Sequence, residues 1–144
     1  VIIPATILGL AIGHLGTFFE GSNYGTPTSL PWGVNFESPA IRYAVPIHPT
    51  QIYAFLYSSI LFSVLIHLKK AEKFKIFQKE GAIGLFGIST YLLLKFLEEF
   101  IRGDDTLLIF NTRVSQILTF IVLVLSSYIF FKTILEKEKK KKRK

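Results

Sequence analysis

The chain of 144 residues contains no cysteine and no methionine, and charged residues make up only 19% of it. Without cysteine it forms no disulfide, no thiolate metal site and no cysteine nucleophile. Its three histidines have no second ligand close in the sequence, so we predict no zinc site and no other cofactor. Because methionine is absent, we expect the chain to be a piece of a longer protein that lacks its natural N-terminus.

Hydrophobic residues are abundant instead, at 50% of the chain, and the charged residues lie in a few short segments. Three apolar runs, 50–68, 81–101 and 114–135, are long enough to span about 30 Å of hydrocarbon. We predict a fourth span at 1–19. The sequence therefore predicts an all-α, polytopic membrane helix bundle of about four transmembrane helices. Residues 1–136 would form one transmembrane domain, and 137–144 a basic tail.

The basic residues predict the orientation of the helices, because Lys and Arg near helix ends remain in the cytoplasm. Of the 17 Lys and Arg residues, the 69–79 segment holds five and the 132–144 segment holds eight. The 20–48 and 103–113 loops would then lie outside. The tail is expected to touch anionic lipid of the inner leaflet, so the net charge of +7 implies no nucleic-acid partner.

A charged stripe ends the 81–101 run. At roughly 100° per residue, one helix face carries Tyr91, Lys95, Glu98, Glu99 and Arg102. Each ion costs about 2.5 kcal/mol or more near the bilayer centre, so the stripe is a candidate functional site. Two other interpretations stay open: the side chains extend to the interface, or the i,i+4 pairs Lys95–Glu99 and Glu98–Arg102 neutralise each other.

Further polar side chains are predicted on the same side of the membrane. They are His14, Glu20, Asn23, Tyr24, His48, Gln51, Tyr53 and Gln116. A pocket with imidazole, cations and carboxylates at headgroup depth suits an anionic phosphate ester whose acyl chains stay in lipid. Alternatively, His48 caps a helix and Gln51 bonds a neighbouring helix.

The 20–48 loop is rich in glycine, proline and aromatic residues. This composition predicts turns that cover the polar side chains at the outer membrane surface. Four of its aromatic residues are assigned to the interfacial aromatic belt: Tyr24, Trp32, Phe36 and Tyr43.

Four segments, in order, resemble bacterial prolipoprotein diacylglyceryl transferases. They are GHLGTFFEGSNYGTPT at 13–28 with PWGVNF at 31–36, HPTQIY at 48–53, EFIR at 99–102 followed by two aspartates, and SQIL at 115–118. The resemblance covers nearly the whole chain except the basic tail.

The resemblance implies transfer of a diacylglyceryl group from phosphatidylglycerol to the lipobox cysteine thiol of a prolipoprotein, on the outer face of a bacterial cytoplasmic membrane. Phosphatidylglycerol, the signal-peptide lipobox and membrane lipid are thus the implied partners. The implied catalytic residues are Lys95, Glu99 and His48. Lys95 and Arg102 would bind or position the phosphate, and Glu99 would orient both cations. Implied substrate-binding residues are His14, Glu20, Gly21, Gly25, Gln51, Tyr53 and Arg102.

The chain departs from the family pattern at charged positions. The family has Arg where this chain has His14, Ile47 and Lys95, and lysine lacks the planar fork that binds phosphate in a bidentate manner. The family's upstream spans, with a His-Gly segment thought to act in catalysis, have no counterpart here. Two alternatives follow: a non-catalytic relative that binds phospholipid or lipoprotein precursor, and a structural membrane subunit whose stripe pairs with a partner helix.

Overall fold

The computed structural model describes residues 2–37, 41–71, 73–78 and 81–142, with side chains to residue 134. Its helices are α1 (Ile2–Glu20), α2 (Thr50–Lys70), α3 (Ala82–Glu98) and α4 (Val114–Lys142). A 3-10 turn, Glu99–Ile101, continues α3 directly. Two short strands, β1 (Leu108–Ile109) and β2 (Thr112–Arg113), pair antiparallel before α4. The predicted all-α bundle is confirmed.

Glycines in the left-handed conformation mark two helix boundaries. Gly21 follows α1 with φ 76°, and its N–H bonds the carbonyl of Phe18 at 3.2 Å. Gly81 precedes α3 with φ 77°. Glycine adopts these angles without a Cβ penalty. Gly21 therefore permits the turn that ends α1.

Within the described ranges, three helices are long and apolar enough to cross a membrane, by length and composition: Ile2–Glu20, Thr50–Lys70 and Val114–Ile134. The 17 residues of α3 cover only about 25 Å. The run predicted as one span at 81–101 changes to 3-10 geometry at Glu99, and a fourth span stays a prediction. The helix α4 continues to Lys142, and the domain boundary predicted after residue 136 also stays a prediction.

The helices pack in two pairs, α1 on α2 and α3 on α4, which α2 and α3 join. Ile7, Leu61 and Leu65 form the apolar core. Gly87 lets α3 approach α2, because a Cβ there would lie 2.8 Å from Leu65 Cδ1. Many large apolar side chains are exposed while several polar ones are buried, as expected for helices that face lipid and bond one another.

In its described part, the loop between α1 and α2 consists of turns, as predicted, and of isolated bridges. Ile47 bridges both Pro27 and Val34 and is buried. The placement of Tyr24 in the aromatic belt is wrong: only 5% of it is exposed, and its ring packs edge-on against Tyr43. Trp32 is exposed, as the belt requires. Of the basic segments, Lys79, Arg143 and Lys144 lie outside the described residues.

Candidate functional site

Six charged side chains meet where α3 ends, and we call them the ion cluster: Lys95, Glu98, Glu99, Arg102, Asp104 and Arg113. Three are cations and three are carboxylates. None of the six side chains is more than 20% exposed. The ion cluster is therefore internal and balanced in formal charge.

The pairing of Lys95 with Glu99, which belonged to one of the open interpretations, does not occur among the described contacts. Lys95 Nζ instead donates to Glu98 Oε1 at 2.6 Å, one residue earlier on the helix. The predicted Glu98–Arg102 pair is present, with Oε1 and Nη1 3.7 Å apart. Glu98 Oε2 accepts a hydrogen bond from the Tyr57 hydroxyl of α2 at 2.9 Å.

Glu99 bonds groups that lie far from it in the sequence. Its Oε2 accepts from Arg113 Nε at 2.9 Å and from the Ser115 hydroxyl at 2.8 Å. Its Oε1 lies 3.8 Å from Arg102 Nη1. Glu99 thus lies beside Arg102 and ties the end of α3 to the start of α4. None of the described contacts joins it to Lys95, and its role in orienting the two cations stays a prediction.

Arg102 is tied to two loops. Its Nε donates to Asp104 Oδ1 at 2.7 Å, and Nη2 bonds the other oxygen of Asp104. Nη2 also donates to Asn23 Oδ1, in the loop after α1, at 2.8 Å. Arg113 Nη2 donates to Asp104 Oδ1 at 2.7 Å. Asp104 is therefore held between two guanidinium groups.

These contacts raise the pKa of Arg102 and lower the pKa of Asp104. Burial alone would lower the pKa of Arg102, but hydrogen bonding to Asp104 and the nearby carboxylates raise it. Burial alone would raise the pKa of Asp104, but Arg102 and Arg113 lower it. Both groups are charged at neutral pH.

The loop after α1 closes over the ion cluster through backbone contacts. Gly25 bridges Arg102, and the Gly103 N–H donates to the Tyr24 carbonyl at 2.9 Å. A Cβ on Gly25 would lie 2.6 Å from His48 Cβ, and one on Gly103 would lie 2.4 Å from the Gly25 oxygen. Glycine is therefore required at both positions for the close approach of these backbones.

His14 reaches the neighbourhood of the ion cluster through two tyrosines. Its Nε2 lies 3.5 Å from the Tyr91 hydroxyl of α3. The Tyr91 ring is 6.0 Å from that of Tyr57, which bonds Glu98. No ion pair between His14 and a carboxylate occurs among the described contacts.

A second group surrounds His48 and Tyr53 at the start of α2. The Tyr53 hydroxyl lies 3.1 Å from His48 Nδ1 and accepts from Trp32 Nε1 at 2.8 Å. Trp32 and Tyr53 line a cavity of about 420 Å³ whose other walls are apolar. No described hydrogen bond or ion pair joins this group to the ion cluster, so the structure divides the predicted site residues between two places.

Two further predicted residues play local parts. Gln51 Nε2 donates to the Ser22 carbonyl at 2.6 Å, which fixes the loop to α2, and its Oε1 has no partner among the described atoms. Glu20 lies exposed at the end of α1 and accepts from Ser22. The described residues contain no group of three or more His, Asp or Glu side chains that could hold a metal ion.

Sequence reasoning gave no functional role to four members of this arrangement: Tyr57, Glu98, Asp104 and Arg113. Glu98 was seen in the stripe but given no role. A signal for Arg113 existed, since an arginine in a loop predicted to be outside runs against the usual bias of basic residues. Tyr57 gave no signal, because an aromatic residue in an apolar helix is ordinary.

The family model of prolipoprotein diacylglyceryl transferases matches residues 1–132. The chain belongs to this family. A phosphatidylglycerol–prolipoprotein diacylglyceryl transferase of Finegoldia magna is 33% identical over 86% of this chain and 46% of its own length. One of Clostridium tetani is 30% identical over 90% of this chain and 51% of its own length. The resemblance stated from the sequence is thus confirmed.

The chain spans about half the length of these curated relatives. One from Thermosynechococcus vestitus is 30% identical over 92% of this chain and 49% of its own length. No solved structure matches. The family match and the apolar helices together show a multi-pass membrane protein of a transferase family.

Proposed function

We propose that the chain forms the lipid-binding part of an enzyme that transfers a diacylglyceryl group from phosphatidylglycerol to the lipobox cysteine of a prolipoprotein. The observation that carries the proposal is the buried ion cluster at the end of α3, beneath the loop that follows α1. The names of the relatives supply the substrates.

The reaction exchanges one bond for another. The thiol sulfur forms a thioether bond to the glyceryl carbon of the lipid, and the bond from that carbon to the phosphate oxygen breaks. Glycerol phosphate leaves as an anion, and the thiol proton passes to a base. Cations in a site of low dielectric constant stabilise the developing charge of such a leaving group.

Lys95 is the cation we assign to the phosphate. Among the described contacts its ammonium group donates only to Glu98, which leaves further N–H donors for a ligand. Its side chain is 20% exposed, against 8% for Arg102. Arg102 already bonds Asp104 and Asn23, so we assign it to positioning.

The second group supplies a place for the substrate beside the loop. The cavity of about 420 Å³ opens between Phe18, Trp32 and Leu56, and its apolar walls suit an acyl chain or the apolar part of a signal peptide. His48 and Tyr53 give this region its polar edge. His14 is assigned to the region beside Tyr91, at a position where the family has Arg.

The proposal includes the orientation of the helix bundle in the membrane. The 69–79 and 132–144 segments would face the cytoplasm, and the ion cluster would then face the outer leaflet. The scaffold alternative fits less well, because Lys95 and Glu99 lie inside the bundle and not on a flat exposed surface.

The test follows the mass of a lipobox peptide. The intact protein, with any segments that accompany this chain, is reconstituted in vesicles with phosphatidylglycerol and the peptide. We expect a diacylglyceryl adduct that disappears when the peptide cysteine is replaced by serine. Lys95→Ala should lower the rate about 100-fold, since one donor to the developing anion is lost.

Lys70→Ala is the matched control, because Lys70 is exposed at the opposite end of α2. It should leave the rate unchanged. Absence of an adduct alongside intact phosphatidylglycerol binding would instead favour the non-catalytic relative. Equal rates for Lys95→Ala and the wild type would contradict the assignment of Lys95.

A further inference from the structure

The Glu98 carboxylate contacts both Lys95 and Arg102, the two cations that the sequence assigned to the phosphate. Its Oε1 accepts from Lys95 at 2.6 Å and lies 3.7 Å from Arg102 Nη1. Its Oε2 accepts from Tyr57 at 2.9 Å, and only 5% of the side chain is exposed. Both oxygens are thus engaged, so the Glu98 side chain has a single position in the bundle.

The orientation of Lys95 depends on this contact. A lysine stem has four rotatable bonds and an ammonium group without directional preference, so a fixed partner is needed to hold the charge in one place. Among the described contacts Glu98 is the partner that Lys95 has. The Tyr57 bond ties Glu98, and through it Lys95, to α2.

Tyr57 also links this charge to an apolar space. It lines a cavity of about 290 Å³ between α2 and α3 whose other walls include Leu61, Val64 and Phe86. Lys95 is therefore held at a fixed place relative to a lateral opening of lipid-compatible size and polarity. A cation that positions the phosphate of a lipid must lie at a fixed distance from the space that holds the acyl chains of that lipid.

Glu98 also sets the charge that the site presents. The ion cluster has three cations and three carboxylates, so it is neutral before any ligand binds. A neutral cluster binds an anionic headgroup only slightly more strongly than a zwitterionic one. Removing the Glu98 charge would give the cluster one net positive charge next to Lys95.

We propose that Glu98 is a positioning residue that orients Lys95 and restrains the preference of the site for anionic lipid. This inference rests on the proposed function. It predicts two opposite effects of losing the charge: stronger preference for an anionic headgroup, and slower transfer because Lys95 is no longer held in one orientation.

The test uses Glu98→Gln in the intact protein, which keeps the size of the side chain and an oxygen that can accept from Tyr57. Binding is measured in vesicles of phosphatidylglycerol and of phosphatidylcholine, and transfer is measured with the lipobox peptide. We expect the ratio of the two affinities to rise about 3- to 10-fold in favour of phosphatidylglycerol. We expect kcat to fall about 10-fold or more while KM for phosphatidylglycerol does not rise.

Glu37→Gln is the control, because Glu37 is exposed on the loop after α1. It should change neither the affinity ratio nor kcat. A merely structural role of Glu98 predicts that kcat and the amount of folded protein fall together with no change in the affinity ratio. That result, or unchanged kcat in Glu98→Gln, would overturn the proposal.

Tyr57→Phe keeps the inference testable if Glu98→Gln does not fold. It releases Oε2 but leaves the charge, so kcat should fall severalfold while the affinity ratio stays constant. Unchanged kcat in that variant would overturn the positioning role. Failure of the proposed function is distinct, since the wild type would then form no adduct with the peptide.

Discussion

At the scale of single residues, Asp104 shows how the outer end of the bundle is held. Its carboxylate accepts hydrogen bonds from both Arg102 and Arg113, and 17% of its side chain is exposed. The next residue, Asp105, pairs with Arg42, but both side chains are mostly exposed. Neighbouring aspartates thus offer a matched comparison between a buried and a surface ion pair.

We expect Asp104→Asn to lower the free energy of unfolding by about 1–3 kcal/mol at pH 7, because two guanidinium groups lose their charged acceptor. The effect should depend on pH. The folded-state pKa of Asp104 is lowered, so its contribution is fully present above its unfolded pKa of about 3.9 and is lost as pH falls through the folded value. Thermal unfolding in detergent at a series of pH values, with wild type and variant side by side, measures this.

The comparison with Asp105→Asn supplies the control, because exposed ion pairs contribute about 0–1 kcal/mol. Its difference from wild type should be small at every pH. If the difference between wild type and Asp104→Asn persists undiminished at pH 3, the contribution does not come from the ionised carboxylate.

At the scale of elements, the loop after α1 and the segment after the 3-10 turn approach each other closely at Gly25 and Gly103. A Cβ on Gly103 would lie 2.4 Å from the Gly25 oxygen, and backbone atoms cannot move aside as a flexible side chain would. We expect Gly103→Ala to cost about 2 kcal/mol or more and to loosen the loop. Limited trypsin digestion should then cleave faster after Arg42, which is exposed in that loop.

Gly9→Ala is the matched control, because nothing lies within 4 Å of a Cβ at that helical position. It should leave the rate of cleavage after Arg42 unchanged. If Gly103→Ala also left this rate unchanged, the close approach of the two backbones would not be what holds the loop.

The sequence predicted the elements well where apolar length decides them. Hydrophobic runs identified α1 and α2 within two residues at each end and the start of α4, because about 30 Å of hydrocarbon imposes a minimum length. The end of α4 lies seven residues beyond the predicted one. The runs did not predict that α3 ends in a 3-10 turn. Helical spacing also failed at Lys95, since residues at i+3 and i+4 lie equally near on an isolated helix.

The choice between Glu98 and Glu99 is made by other elements. Ser115 of α4 and Arg113 of β2 donate hydrogen bonds to Glu99. Lys95 therefore pairs with Glu98. These contacts join residues 14 and 16 positions apart, and they depend on the fold of the intervening loop. A helical periodicity within one segment carries no information about them.

At the scale of the whole molecule, the two ends of the bundle differ in kind. One end carries the ion cluster with its paired cations. At the other end, the described lysines Lys69, Lys70, Lys73 and Lys75 are exposed. Exposed lysines favour an anionic cytoplasmic surface, worth about 1 kcal/mol each. Charges that are paired and buried do not interact with the membrane surface in this way, so they place little constraint on the orientation.

The orientation is therefore open to a direct test, and the absence of native cysteine in this chain makes it simple. Thr106→Cys lies exposed in the loop between the 3-10 turn and β1, and Lys70→Cys lies exposed at the far end of α2. In intact cells a membrane-impermeant maleimide should label Thr106→Cys, while Lys70→Cys should react only after the membrane is permeabilised. The reverse labelling pattern would place the ion cluster on the cytoplasmic side of the membrane. That result would contradict the proposed reaction, which takes place at the outer face.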